Sequence, residues 1–308
     1  MENYENRNFL NMGYIMKVNI DNFNSSENPG NLVLLKKIQN ARGDYFVYVS
    51  GQAFRYYLKQ TLMQLGMPLT KIDSNGEFLI DKNAPKDPRE RYKYILKNNP
   101  DLDLFGFMEA KKGGEKMALR RWSPIKVSPL ISIYPWNGEN DLLTQKKEGR
   151  GELIKVEINV FNFMRGTAVI NVNEVGGYVD ELNLEIEDII GEDKRKERIG
   201  KLLDSFKNIN GGGKTARLLD DLTPKFIIIA KQTAAVPVFL NSLAVDEDGK
   251  LAIDLIKDGL EIYSDIINNY VIGLRKGIFT NEEEIKSNFE ENKVFDIKSA
   301  IEKAKEWI

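Results

Sequence analysis

A chain of 308 residues, 42% hydrophobic and 29% charged, can bury a substantial core as one large domain with insertions or as two smaller ones. Its formal net charge of −2 argues against a protein that coats nucleic acid with its whole surface. The absence of cysteine and histidine excludes disulfides, thiolate and imidazole metal ligands, Ser-His-Asp triads and Cys-His pairs.

Tyr14 to Ile20 (YIMKVNI) reads as a first strand and Tyr45 to Val49 (YFVYV) as a second, short and buried. Ser50 and Gly51 break that strand with a residue type that caps helices, and a helix is predicted from Gly51 or Gln52 to Leu65. Its apolar stripe is Phe54, Leu58, Leu62 and Leu65, while Arg55 and Lys59 stand four residues apart on a neighbouring face. Free N–H groups at a helix start carry partial positive charge, so an anion placed there would meet amides, the Ser50 hydroxyl, the Gln52 amide and two cations. Because both cations lie off the stripe, their replacement is expected to leave the fold nearly as stable.

Residues 66–126 hold five prolines, a short helix around Arg89 to Lys97 and a basic run, and read as an insertion outside the core sheet. Strand signals return at Ser128 to Tyr134, Lys155 to Phe163 and Thr167 to Val172. In Lys155 to Phe163 (KVEINVFNF), Val156, Ile158, Val160, Phe161 and Phe163 are expected to form the apolar face. A long helix is predicted from about Lys194 to Ile209, then a buried strand from Phe226 to Ala230. Residues 280–308 read as an acidic segment ending in an amphipathic helix, able to pack on its own core or on a neighbour. The order is that of an α+β chain, compatible with a ferredoxin-like or RRM-like sheet with helices on one face.

Charge is segregated. Lys111 to Lys126 and Asp193 to Arg217 each carry +5, and Asp180 to Glu192 holds six acids and no base, a pattern suited to head-to-tail assembly of identical copies. Asn208 to Thr215 (NINGGGKT) ends like a P-loop, but Asn208 stands where the first glycine is required and the segment follows a helix instead of a strand. Nucleotide hydrolysis is therefore not expected. The glycines remain suited to a helix C-cap, or to letting a sugar-phosphate chain pass close while Lys214 and Arg217 neutralise it.

Ser50, Gln52, Arg55 and Lys59, in the order VSGQAFRYYLK, resemble the S-x-Q-x-x-[KR] signature of the backbone subunit of type I CRISPR surveillance complexes, in its DevR-type, type I-B branch of the RAMP superfamily. Asp103 to Met108 (DLFGFM), Val127 to Leu130 (VSPL), Gly166 to Val172 (GTAVINV), Gly211 to Arg217 (GGGKTAR) and Pro224 to Ala230 (PKFIIIA) follow in the family's order. The likeness spans most of residues 10–235. It implies one domain over residues 1–308: an RRM-like palm, the insertion as fingers, and a protruding thumb hairpin. It also implies a non-catalytic, cofactor-free protein that polymerises along CRISPR RNA beside other Cascade subunits and presents the guide to target DNA. RNA-binding residues would be Ser50, Gln52, Arg55, Lys59, Gly212, Gly213, Lys214 and Arg217. Arg120 and Arg121, or the Trp136 to Arg150 loop, would add fingers or thumb contacts.

Type III relatives of this superfamily cut target RNA with a loop aspartate near the N-terminus, which leaves Asp21 as a candidate for a metal-dependent ribonuclease. Asp101 with Asp103, and Asp220 with Asp221, are further acid pairs. A stand-alone RNA-binding regulator that never polymerises is the other alternative. No run of about eighteen apolar residues and no secretory leader is present, so a cytoplasmic protein without a membrane partner is expected.

Overall fold

The computed structural model describes residues 7–23, 29–109, 119–147, 150–180 and 185–308. Much of the basic run (111–118) and part of the acidic run (181–184) lie outside them. The architecture is mixed α+β. Phe9–Asp21 and Asn159–Asn171 form the sheet's centre, paired antiparallel from Phe9↔Asn171 to Asp21↔Asn159. On one side follow Pro224–Gln232, Ile267–Leu274 and the short Val294–Phe295; on the other Leu130–Ser132, Tyr45–Val49 and Lys37–Gln39. Ile125–Val127 also pairs with Asn159–Asn171.

Seven α-helices stand among the described residues: α1 (Gly51–Gln64), α2 (Pro88–Asn98), α3 (Pro100–Phe105), α4 (Glu192–Lys207), α5 (Ile253–Ile262), α6 (Glu282–Asn288) and α7 (Ile297–Lys305). Side chains alternate along a strand, so Met12, Tyr14, Met16, Ile227 and Ile229 enter one core, with Phe54 of α1, Phe206 of α4 and Ile301 of α7. Tyr14 anchors that core, with its ring centroid 5.6 Å from Phe54 and 5.4 Å from Phe206. Ile15, Phe226 and Ile228 enter a second core with Val238, Phe239, Ile256 of α5 and Ile285 of α6. The expected one-sided arrangement of helices is thus corrected. Residues 236–289 supply a second layer, which is why Phe226 to Ala230 is apolar at every position: a strand buried on both faces has no polar side to alternate with.

Two strand boundaries also differ from expectation. The first strand begins at Phe9, because buried Asn11 and Gly13 belong to it; a Cβ at Gly13 would come within 2.7 Å of Phe239. The predicted strand Lys155 to Phe163 is divided. Arg150–Glu157 forms a hairpin with Asn140–Lys147, and the central strand starts afresh at Asn159. Phe161 has φ +46° and is 75% exposed. Its left-handed backbone breaks the two-residue alternation, so this phenylalanine leaves the core face to which the pattern assigned it.

The segment between α1 and the central strands has a small core of its own: Ile95, Leu102 and Phe107. It is tied to the rest by ions. Asp103 Oδ1 accepts from Arg121 Nη2 at 2.6 Å and its Oδ2 from Arg198 Nη1 of α4 at 2.7 Å. The C-terminal helix α7 packs on its own chain, burying Ala300, Ile301 and Ala304, with Lys305 Nζ 2.9 Å from Asp204 of α4. No helix among the described residues is long and apolar enough to cross a membrane.

Candidate functional site

Ser50 caps α1: its Oγ accepts from Ala53 N at 3.2 Å, leaving the hydroxyl proton able to reach a ligand. Val49 ends the buried strand one residue earlier, so the cap and the first turn are held on the sheet at a fixed angle. Gln52 is exposed on that turn. Arg55 and Lys59 do share a face, but not a bare one. The Arg55 guanidinium donates to the Phe105 carbonyl, and both cations lie over the Phe105 ring, at 5.3 and 5.2 Å. Burial lowers the pKa of each; at Lys59 the Asp101 carboxylate opposes that and Arg55 adds to it. The expectation that the pair can be removed without structural cost is corrected, because α3 brings Phe105 beneath both.

On the opposite flank of α1 lies the glycine loop. Asn210 N donates to Thr61 Oγ1 at 3.1 Å, and Gly211 rests on Tyr57, whose hydroxyl donates to the Phe23 carbonyl at 2.7 Å. A Cβ at Gly211 would come within 2.4 Å of the Tyr57 ring, one at Gly212 within 2.7 Å of Asp21 Oδ2, and one at Gly213 within 1.9 Å of the Asn22 carbonyl. The space these glycines keep free is therefore filled by the protein itself, and the glycines serve close packing of the loop on the end of the first strand. Lys214 follows at φ +55°, and it and Arg217 are exposed.

Asp21 sits under this loop at 1% exposure. Backbone N–H groups of Asn22 and Gly213 donate to it, yet burial, reinforced by the charge of Asp220, pushes its pKa up to about 8. Its Oδ1 has no hydrogen-bond partner. Asp220 is occupied with Asn19, accepting from its N at 2.7 Å and its Nδ2 at 2.9 Å. Asp21 is thus sealed beneath the glycines, and no group of three or more acids able to hold a metal ion stands among the described residues. Asp101 accepts from Thr70 Oγ1 at 2.6 Å, and Asp221 from Arg275 Nη1 at 2.7 Å, so both have structural partners.

The two neighbouring arginines separate. Arg120 is exposed, its guanidinium 5.3 Å from the ring of exposed Trp122. Arg121 is 6% exposed and donates to Asp103, Tyr92 and the Glu174 and Gly177 carbonyls. Its charge is committed to the interior, which removes it from the candidate interface. The hairpin Asn140–Lys147 with Arg150–Glu157 stands where the Trp136 to Arg150 loop was expected, and it is braced at its root. Trp136 Nε1 donates to the Ile158 carbonyl at 2.9 Å, and Lys37 bridges Glu157 at 2.6 Å while its Nζ lies 3.5 Å from the Trp136 ring centroid.

Residues 12–248 match the family described as "CRISPR-associated negative auto-regulator DevR/Csa2". Two solved structures share the fold. One, described as a "CRISPR RNA-guided surveillance complex, pre-nicking", aligns with TM-score 0.64 at 12% identity over 96% of this chain and 100% of that one. Another, a "CRISPR RNA-guided surveillance complex", aligns with TM-score 0.59 at 14% identity over 96% and 99%. No curated protein matches.

Proposed function

Since the chain belongs to the DevR/Csa2 family of CRISPR-associated proteins, we propose that it is a non-catalytic, RNA-binding backbone subunit of a type I surveillance complex, of subtype I-B. Copies of it would polymerise head-to-tail along the guide RNA and leave the bases open to pair with target DNA. The observation that carries this reading is the arrangement around α1. One helix presents a capped, anion-ready start, two cations on one flank (Arg55 and Lys59), and a packed loop with exposed Lys214 and Arg217 on the other. Such a strip neutralises successive phosphates whatever the base sequence, which is what a sequence-independent RNA scaffold requires.

The central strand order, Pro224–Gln232, Phe9–Asp21, Asn159–Asn171, Leu130–Ser132, with α1 and α4 on one face, supports an RRM-like palm. We read α2, α3 and the strand pair Phe107–Glu109 with Leu119–Arg121 as fingers, and the hairpin of Asn140–Lys147 with Arg150–Glu157 as the thumb. The wholly buried Asp21 favours this reading over a type III-like nuclease.

Purified protein should carry RNA after co-expression and form multiples whose size grows with RNA length, measured by light scattering across a length series. A complex that stays at one copy on long RNA points instead to a stand-alone regulator, the reading closest to the family's description as an auto-regulator. Mg²⁺-dependent cutting of a paired target that is lost in Asp21→Ala would establish the enzyme.

A further inference from the structure

Large apolar side chains at the surface need a reason when the backbone beneath them is strained as well. Phe161 is such a residue. It is 75% exposed, and its φ of +46° lies in the left-handed region, where a bulky non-glycine residue is an outlier. A turn here could be made more easily by glycine or asparagine, so the aromatic ring is what the strain preserves.

The surroundings hold the conformation firmly. On one side the Ile158 carbonyl is fixed by Trp136. On the other, buried Asn162 donates from Nδ2 to the Tyr134 carbonyl at 3.0 Å and to Asn159 Oδ1 at 3.2 Å, and accepts from the N–H of Phe163 at 2.8 Å and of Tyr134 at 3.1 Å. The ring is thereby presented outward on a rigid mount, with little entropy left to lose when it is contacted.

Its position joins the proposed RNA path. Phe161 lies between Val160, opposite Ile20, and Asn162, opposite Val18. Two residues before it, Asn159 pairs with Asp21, the residue under Gly212 and Gly213. Asn19 binds Asp220, next to Leu219, which is 85% exposed, and the same loop carries exposed Lys214 and Arg217. Phe161 thus stands across the strand pair from Asn19, whose side chain and N–H are hydrogen-bonded to the loop that carries the exposed cations and the exposed Leu219. A π face next to phosphate-binding cations suits a nucleotide of single-stranded RNA, whose base stacks while its phosphate is neutralised.

We propose that Phe161 is a stacking platform for one nucleobase of the bound RNA in each copy of the protein. This rests on the RNA-binding reading above. Phe161→Asn should be accommodated by the left-handed backbone, so the variant melts no lower than wild type, yet it should bind single-stranded oligoadenylate about 5- to 150-fold more weakly. The dependence of its affinity on salt should not change, because every phosphate keeps its cation. Phe161→Trp should restore binding. In oligoadenylate carrying one 2-aminopurine, the wild type should quench the probe and Phe161→Asn should not.

Unchanged affinity and quenching in Phe161→Asn, with binding weakened in Lys214→Gln, would overturn the stacking role and leave RNA binding intact. Failure of the wild type to bind oligoadenylate at all would overturn both. Sedimentation without RNA that shows copies associating through Phe161, and ceasing to do so in Phe161→Asn, would assign the ring to a protein contact and reject the proposal.

Discussion

Asp103 and Asp21 are both carboxylates withdrawn from water, and their environments are opposite. Asp103 is enclosed by the guanidiniums of Arg121 and Arg198 and by the Gly176 N–H at 2.9 Å, so each oxygen has at least one charged or polar donor. Among the described residues no cation pairs with Asp21; its charged neighbour is Asp220, and one of its oxygens is unpartnered. Burying a charge costs several kcal/mol unless it is paired; Asp103 has that pairing, whereas burial and the neighbouring Asp220 push the pKa of Asp21 up. The Asp103 cluster fastens the segment containing α3 to α4. The Asp21 site lies at the candidate interface, and there the molecule retains a group whose state can change.

The largest effect should come from breaking the paired site. Asp103→Ala leaves two interior arginines without a counter-charge, at a cost of about 3–5 kcal/mol, visible as a lower urea midpoint. Joint replacement of Asp103, Arg121 and Arg198 by apolar residues of similar volume should cost less than that single change. If Asp103→Ala unfolds like wild type, the cluster does not hold the two parts together.

A smaller effect of distinctive sign should come from Asp21. Its folded pKa of about 8 lies above the ordinary 3.8, so over that interval the folded chain binds a proton that the unfolded chain has released. Its contribution is therefore fully present below about pH 4 and lost as pH rises towards about 8, on the order of a few kcal/mol in all. Asp21→Asn keeps the acceptor for Gly213 N–H and has nothing to titrate. It should become progressively more stable than wild type as pH rises, with the difference levelling off above about pH 8. Denaturant unfolding across this range tests it, and a difference independent of pH would show that the carboxylate is ionised throughout.

The cations of the two regions differ in the same way. Arg121 and Arg198 are spent on Asp103, whereas Lys214 and Arg217 are exposed. Lys214→Gln with Arg217→Gln should change stability by no more than about 0.5 kcal/mol. The same variant should flatten the logarithmic salt dependence of RNA binding by roughly 0.7 for each phosphate no longer neutralised. An unchanged slope would make them ordinary surface charges.

The sequence showed some of this clearly. A strand of five apolar residues followed by Ser50 specifies both the cap and the direction of α1, because every signal is local. What escaped it depends on distant partners. Arg120 and Arg121 are adjacent and chemically alike, and only Asp103, Tyr92 and the Glu174 and Gly177 carbonyls make one of them internal. Nothing in NINGGGKT tells that its glycines close upon Asp21 and Asn22, far earlier in the chain. Phe161 escaped for another reason: alternation counts residues, and a single left-handed residue shifts the count. The helices and strand after Lys231 show no distinctive motif, though α5 has the apolar spacing of an amphipathic helix that could have been read.

The connectivity of the central sheet also governs how the chain is made. Phe9 pairs with Asn171 on one side and Gln232 on the other, so the first strand leaves the ribosome long before either neighbour exists. At about 5–20 residues per second, roughly 10–40 s pass before Gln232 is synthesised, and α7 is added later still. Loop closure over such separations is slow. During that interval a strand destined to be buried on both faces is bare, and its protection falls to folding helpers or to rapid synthesis of its two neighbours.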